Sequence, residues 1–295
     1  MNTPRVAPGP AAFGLMVMLC AIWGMQQIAI KVANAGISPI LQAGLRSAIA
    51  AALVLGWARW RGIGLATPDR SLWPGLLAGL LFGLEFAFIF VGLEHTTVSR
   101  MVVFLYTAPC FTVLGLHGFV AGERMGPRQG AGVLLAFAGL VAAFADKASG
   151  GSLLGDAFGV LAAIFWAATT VLIRATALAR VSATKVLLYQ LVVSAALMFP
   201  LSLAMGEAGV TKLTAEVVLA MGFQAVIVAF VSYLVWFWLL TRYLAGRLLV
   251  FSFLTPLFGV LFGMLLMGDR PSAGFFLAAA MVVAGIILVN LPARK

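Results

Sequence analysis

Ten stretches of about twenty mostly apolar residues follow one another along this chain, near 12–32, 41–58, 72–93, 97–120, 127–145, 153–173, 185–205, 214–240, 247–267 and 272–291. Each is long enough to carry a helix across the ~30 Å hydrocarbon core of a bilayer. The breaks between them are short and hold turn residues and charges: Gly36-Ile37-Ser38-Pro39, Arg59 to Arg70, Gly122-Glu123-Arg124, Gly150-Gly151-Ser152 and Gly268-Asp269-Arg270-Pro271. Charged residues make up 9% of the chain, against roughly 25% in an ordinary soluble domain, too few to cover a surface facing water. Lipid is the solvent. The stretches are too long for barrel strands and lack period-2 alternation, which excludes a β-barrel. The first stretch has only Arg5 as a basic residue before it and takes part in an internal repeat, so it reads as a span and not as a cleavable signal. Cys20 and Cys110 both fall inside spans and read as small hydrophobes, not as a disulfide or metal framework.

The net charge of +10 does not imply a nucleic-acid partner, because its distribution has another cause. Threading ten spans puts Arg5, Arg59, Arg61, Arg70, Arg124, Arg128, Arg174, Arg180, Lys185, Arg242, Arg247, Arg294 and Lys295 on the side of the N-terminus, thirteen in all. Lys31, Arg100, Lys147, Lys212 and Arg270, five in all, fall on the other side, and Arg46 lies within a span. Positive charge accumulates on the cytoplasmic side of membrane proteins. Both termini are therefore expected in the cytoplasm, with the chain multi-pass in the inner (cytoplasmic) membrane.

The two halves of the sequence match. Trp23-Gly24-Met25-Gln26-Gln27, with Lys31 beyond it, aligns with Trp166-Ala167-Ala168-Thr169-Thr170 and Arg174. In each, an aromatic is followed by hydrogen-bonding residues at +3 and +4 and a cation at +8. Arg100 to Pro109 aligns with Arg247 to Pro256, Gly122-Glu123-Arg124 with Gly268-Asp269-Arg270, and Gly139 with Gly285. Residues 1–145 and 146–295 thus form two repeats of five spans each. An odd number of spans inverts the second repeat in the membrane, the construction of many secondary carriers, whose substrate sites lie near the midplane where the repeats meet. Channels and membrane enzymes also arise by duplication.

Trp23-Gly24 in the first span, Pro39 with Arg46 seven residues on, Pro109 and Pro256 in mid-span, and Gly-Glu or Gly-Asp after spans four and nine together resemble the drug/metabolite transporter superfamily, as a tandem of two EamA-type domains. The resemblance covers essentially the whole chain and lies nearest the amino-acid exporters, including the aromatic amino-acid type. It implies an all-α integral membrane fold of ten transmembrane helices around a central cavity. The second half departs from the pattern: no proline matches Pro39, and Gln190 stands where Arg46 stands.

Polar residues inside a span must face protein or a wet cavity, so they are candidate substrate contacts. Glu85 lies about 12 Å from the outer end of span three, and Arg46 enters from the same side at about 7 Å. Glu85 is either a substrate-ammonium or proton site, or the partner of Arg46 in a structural ion pair. Gly75, Gly79 and Gly83 form a close-packing stripe on the same span, and Glu85 points off it. Trp23, Gln26 and Gln27 share a face of span one and read as a cavity wall or as a core tryptophan with a bridging amide. Trp166 and Thr169 repeat the pattern, although Thr169 and Thr170 can bond their own backbone. Gln42, Tyr106, Tyr189, Gln190, Tyr233 and Trp236 complete the set, with Gln224 and Ser232 beside the last two. Trp57 and Tyr243 read as belt residues near span ends. By depth, the first-repeat residues lie in the outer half and the second-repeat residues in the inner half, giving a charged outer vestibule and an aromatic inner one. Pro109 and Pro256 each lack an N–H and should kink spans four and nine, as a gate or as a static bend.

A membrane enzyme is disfavoured. His95 and His117 lie at opposite ends of the bundle, and no His-Glu-x-x-His, Gly-x-Ser-x-Gly or Walker A sequence occurs. No metal or other cofactor is implied. One acid, one arginine, several amides and many aromatics could hold a zwitterion, a sugar, a carboxylate or a drug-like solute. The resemblance favours amino-acid export by alternating access, with a monomer as a sufficient unit. Cysteine introduced at Lys147 or Lys212, in a background lacking Cys20 and Cys110, should react with an impermeant thiol reagent applied from outside the cell; labelling only from the cytoplasm would reverse the topology.

Overall fold

Lipid supplies no hydrophobic drive between helices, so apolar helices associate there only where small residues let their backbones approach. The computed structural model describes residues 9–65, 69–120, 124–146, 150–242 and 254–291, of which Phe237, Leu240, Thr241, Arg242 and Asn290 are described by their backbone alone. Arg5, Gly122, Glu123, Lys147, Tyr243, Arg247, Arg294 and Lys295 lie outside these residues, as does the side chain of Arg242. The described residues form α1 (Pro10–Asn34), α2 (Pro39–Trp60), α3 (Leu72–His95), α4 (Val98–Leu105), α5 (Ala108–Phe119) and α6 (Pro127–Ala145). There follow α7 (Leu153–Ala175), α8 (Ala183–Ala204), α9 (Ala215–Gly222), a π-helical stretch Phe223–Ser232, α10 (Tyr233–Arg242), α11 (Leu254–Met267) and α12 (Ala273–Asn290). Among the described residues eight helices are long and apolar enough to cross a membrane, counting Val98–Phe119 and Ala215–Trp236 as one each, and α11 and α12 are shorter apolar helices.

Helix starts follow local chemistry. Proline opens α1, α2 and α6, where its missing N–H has no partner to lose. Side-chain oxygens of Thr97, Ser152, Ser182, Thr214 and Ser272 accept the N–H three residues on, at 3.3, 3.2, 3.3, 3.3 and 3.0 Å. The span expected at 97–120 is instead two helices. Pro109 cannot donate to the Leu105 carbonyl and its ring crowds that oxygen, so α4 stops at Leu105 and α5 restarts at Ala108. The kink expected at Pro256 concerns the backbone just before α11, outside the described residues.

The glycine stripe of α3 lies against α8. A Cβ on Gly75 would fall 2.5 Å from the Tyr189 ring, and one on Gly79 2.7 Å from the Tyr189 carbonyl oxygen. Gly132 and Gly139 of α6 meet Gly285 and Ala278 of α12 in the same way, at 2.8 and 2.7 Å from their carbonyl oxygens. As numbering rises along α6 it falls along α12, so the two run antiparallel. With Gly139 aligned to Gly285, the pair Gly132–Gly285 maps onto Ala278–Gly139. The other main pairings obey the same exchange: α2 with α8, α3 with α7 beside α1 with α9 and the π stretch, α4–α5 with α7 beside α1 with α11, and α3 with α8 beside α2 with the π stretch.

Two faces of the bundle result. On the far face Ser38 N donates to the Gly209 carbonyl at 2.9 Å, and Thr211 N to that of Gly36 at 2.9 Å. Glu207 there accepts the N–H groups of Ile40 and Leu41, both at 2.9 Å, capping α2. Arg100, counted above with that side's loop charges, is buried in the first turn of α4 and only 3% exposed. It forms an ion pair with Asp156 of α7 and donates to the carbonyls of Asp146 and Ala143 at 2.8 and 2.9 Å. The near face carries the α2–α3 and α7–α8 connections, joined by Lys185 Nζ to Asp69 at 2.8 Å. Gly285→Val should force α12 off α6 and lower the unfolding free energy by about 1–3 kcal/mol. The same change at Gly14, which has nothing within 4 Å, should be nearly silent; thermal unfolding in detergent distinguishes the two.

Candidate functional site at the centre of the bundle

Arg46 is fully buried in α2, one turn beyond Gln42 on the same helix face. Its guanidinium carbon lies 4.0 Å over the Phe86 ring, and Nη2 donates to the Tyr233 hydroxyl at 3.3 Å. Among the described residues Nε and Nη1 have no hydrogen-bond partner. Glu85, next to Phe86 in sequence, is 6% exposed. Its carboxylate is close enough to feel the Arg46 charge, yet forms no ion pair with it within 4.0 Å. Tyr233, placed by sequence with the inner residues, thus reaches the outer pair: depth along single helices did not separate two vestibules.

The walls come from both halves. Tyr106 is buried, and its ring meets Trp166 edge-on at 5.3 Å. Trp23 Nε1 donates to Ser232 Oγ at 2.9 Å, and its ring meets Trp236 edge-on at 5.9 Å. Ser232 ends the π stretch, whose wider coil resets the face on which the next residues emerge, and both Tyr233 and Trp236 reach the centre. Nothing in the sequence marks that stretch beyond the polar residues at its two ends, Gln224 and Ser232.

Buried acceptors without partners among the described residues line the surrounding helices: Oε1 of Gln27, Gln42 and Gln224 and Oγ1 of Thr255. The Gln42 amide nitrogen donates to Asn34 Oδ1 at 2.8 Å, and that of Gln224 to the Ala29 carbonyl at 3.1 Å. Gln26 is buried beside Gln27 on α1.

Other expected site residues are placed elsewhere. Thr169 Oγ1 donates to the Phe165 carbonyl of its own helix at 2.9 Å, so that hydroxyl serves its backbone. Tyr189 lies at the near face, over Gly75, its hydroxyl 3.1 Å from Ser71 Oγ. Gln190 is buried one turn from Ser194, whose hydroxyl meets Ser47 at 3.1 Å, in the α2–α8 seam. Pro109 is the second residue after the break at Tyr106-Thr107, where Thr107 Oγ1 donates to the Phe104 carbonyl at 2.6 Å, and Pro256 is buried in the first turn of α11 beside Thr255. The sequence reading also missed Asp156, a lone carboxylate in an apolar run much like Glu85.

Apolar helices long enough to span a bilayer, arranged as two matched halves around a polar centre, define a multi-pass membrane transporter. The chain belongs to the EamA-like transporter family, which matches it twice, over residues 11–145 and 153–291. It is 28% identical to an "uncharacterized transporter" of Archaeoglobus fulgidus, over 94% of this chain and 96% of that one. It is 26% identical to a "probable amino-acid metabolite efflux pump" of Escherichia coli, over 93% of each, and 26% identical to the "uncharacterized inner membrane transporter YedA" of the same species, over 95% of this chain and 90% of that one. A solved crystal structure at 22% identity shares the fold, with a TM-score of 0.67 over 97% of this chain and 98% of its own.

Pro109→Ala should allow α4 and α5 to fuse by restoring the hydrogen bond to the Leu105 carbonyl. Turnover in proteoliposomes should fall several-fold with substrate affinity nearly intact; an unchanged rate would make the break a static feature.

Proposed function

We propose that this transporter exports small polar metabolites, amino acids foremost, across the cytoplasmic membrane by alternating access. Its two repeats, divided near residue 145, hold five spans each and lie inverted, with the basic near face in the cytoplasm. The antiparallel, exchange-symmetric contact of α6 with α12 supports the inversion, and the thirteen-to-five charge split supports the orientation. A relative named as an inner membrane transporter and one named as an amino-acid metabolite efflux pump support the location and the cargo.

The observation that carries the reading is Arg46. A fully buried guanidinium with two nitrogens unpartnered among the described residues is a costly group to keep in a membrane. A substrate carboxylate would satisfy it with charge-assisted hydrogen bonds. Glu85 would take the ammonium, and Trp23, Tyr106, Trp166 and Trp236 would enclose the side chain. The unpartnered amide oxygens of Gln27 and Gln42 are further ammonium acceptors. Because Arg46 and Glu85 form no direct pair, a zwitterion would engage both without first breaking an ion pair. All these groups belong to one chain, so a monomer suffices.

Proteoliposomes challenged with labelled amino acids, carboxylates and sugars, with and without a pH gradient, test the reading. Arg46→Gln should weaken binding of carboxylate-bearing substrates at least ~10-fold, about 1.4 kcal/mol. Glu85→Gln should abolish transport of zwitterions and spare simple carboxylates. The double variant should fold without transporting amino acids. Wild-type amino-acid transport by the double variant would remove both residues from the site, and sugar transport indifferent to Arg46 would redirect the cargo assignment.

A further inference from the structure

The near face holds a second polar site that the central one does not use. Between the α2–α3 and α7–α8 connections lies a cleft of about 840 Å³, lined by Arg70, Arg174, Arg180, Ser182 and Lys185, with Asp69 as the sole lining carboxylate among the described residues. Asp69 is already engaged: its Oδ2 accepts Lys185 Nζ at 2.8 Å and its Oδ1 accepts the Ser71 N–H at 3.1 Å. Arg70 and Arg180 are exposed and make no hydrogen bond or ion pair with the described residues. Arg70 also sits at φ 58°, a conformation that crowds Cβ against the backbone and that a residue other than glycine seldom adopts. On the far face the exchange-related connections are zipped together through Ser38 and Gly209. On the near face they are joined through Asp69 and Lys185, and both residues line the cleft.

The level of the cleft identifies what reaches it. Trp60, in the last turn of α2, and Trp73, in the first turn of α3, are 75% and 78% exposed. Outward-facing indoles at helix ends sit where lipid headgroups meet hydrocarbon, so the mouth of the cleft lies in the headgroup layer. Guanidinium groups bind phosphate through paired N–H donors, and basic pockets between helix ends suit anionic headgroups.

We infer that this cleft seats the phosphate group of an anionic phospholipid headgroup, held by Arg70 and Arg180 with Arg174 and Lys185 behind them. The bound headgroup bridges the α2–α3 and α7–α8 connections and stabilises their present arrangement. This inference does not depend on the cargo held at Arg46.

The test is thermal unfolding of the purified full-length protein in a neutral detergent, with added phosphatidylglycerol, phosphatidylcholine or inorganic phosphate. Phosphatidylglycerol should raise the midpoint by about 3 °C over phosphatidylcholine. Arg70→Gln with Arg180→Gln should lose most of that rise, whereas Arg59→Gln with Arg124→Gln, which removes the same charge outside the cleft, should keep it. Both pairs are exposed, so folding itself should survive. A rise with inorganic phosphate alone, lost in the Arg70/Arg180 variant, would support the phosphate seat and assign it a soluble source. An equal phosphatidylglycerol effect in both double variants, or none in the wild type, would overturn the proposal.

Discussion

Two buried arginines, placed at different depths in the same apolar medium, organise this molecule. Lipid offers no water to complete a guanidinium, so protein or cargo must do it. Arg100 is completed by protein: Asp156, two backbone carbonyls and the faces of Phe104 and Phe275 surround it. Arg46 has one tyrosine hydroxyl and one aromatic face. The first is a fastener joining α4, α6 and α7. The second keeps open hydrogen-bonding capacity at the meeting point of both halves, which is the property a carrier site needs.

The fastenings elsewhere leave that capacity in place. Glycines bring α3 onto α8 and α6 onto α12 at distances that leave no room for a methyl group, so these seams are close-packed backbone to backbone. Among the described residues many of the polar side chains lie at the helix ends and at the centre. At the ends, carboxylates cross between halves: Glu207 caps α2, Asp269 accepts the Ser99 N–H of α4 at 2.8 Å, and Asp69 holds Lys185 of α8. At the centre, the break before Pro109 and the π stretch are both departures from α geometry, and both border the cluster of Tyr106, Tyr233 and Trp236. Irregular backbone inside a membrane protein is tolerated where it is buried or lines a cavity.

Much of this was legible in the sequence, for identifiable reasons. Span length and apolar content follow from bilayer thickness alone, and the glycine stripe announced a packed face because spacing by four is a property of one helix. Arg46, Glu85, Trp23 and Tyr106 stood out because each is improbable in hydrocarbon without a partner. What stayed hidden depends on which helices meet. The pairing of Arg100 with Asp156 joins residues 56 apart in sequence, and the Tyr233 reach to Arg46 spans 187. In the sequence Tyr189 reads as a cavity residue because its polarity shows there and its packing against Gly75 does not. The π stretch alters hydrogen-bond register without altering composition, so periodicity read at 100° per residue passes over it.

The far-face clasp bears on how the chain is made. Glu207, Gly209 and Thr211 complete the amides and carbonyls around residues 36–41, and Asp156 completes Arg100, so the first half carries unfinished polar groups until the second half is synthesised. During insertion α1–α6 must therefore wait in the bilayer for these partners, with the N-terminus of α2 uncapped and Arg100 without Asp156. Assembly closes only after residues beyond 200 have emerged from the ribosome and folded back across helices inserted long before. A nascent chain halted between the two halves would be fully inserted yet unlatched, and would present to quality-control proteases the polar helix ends that the finished transporter conceals.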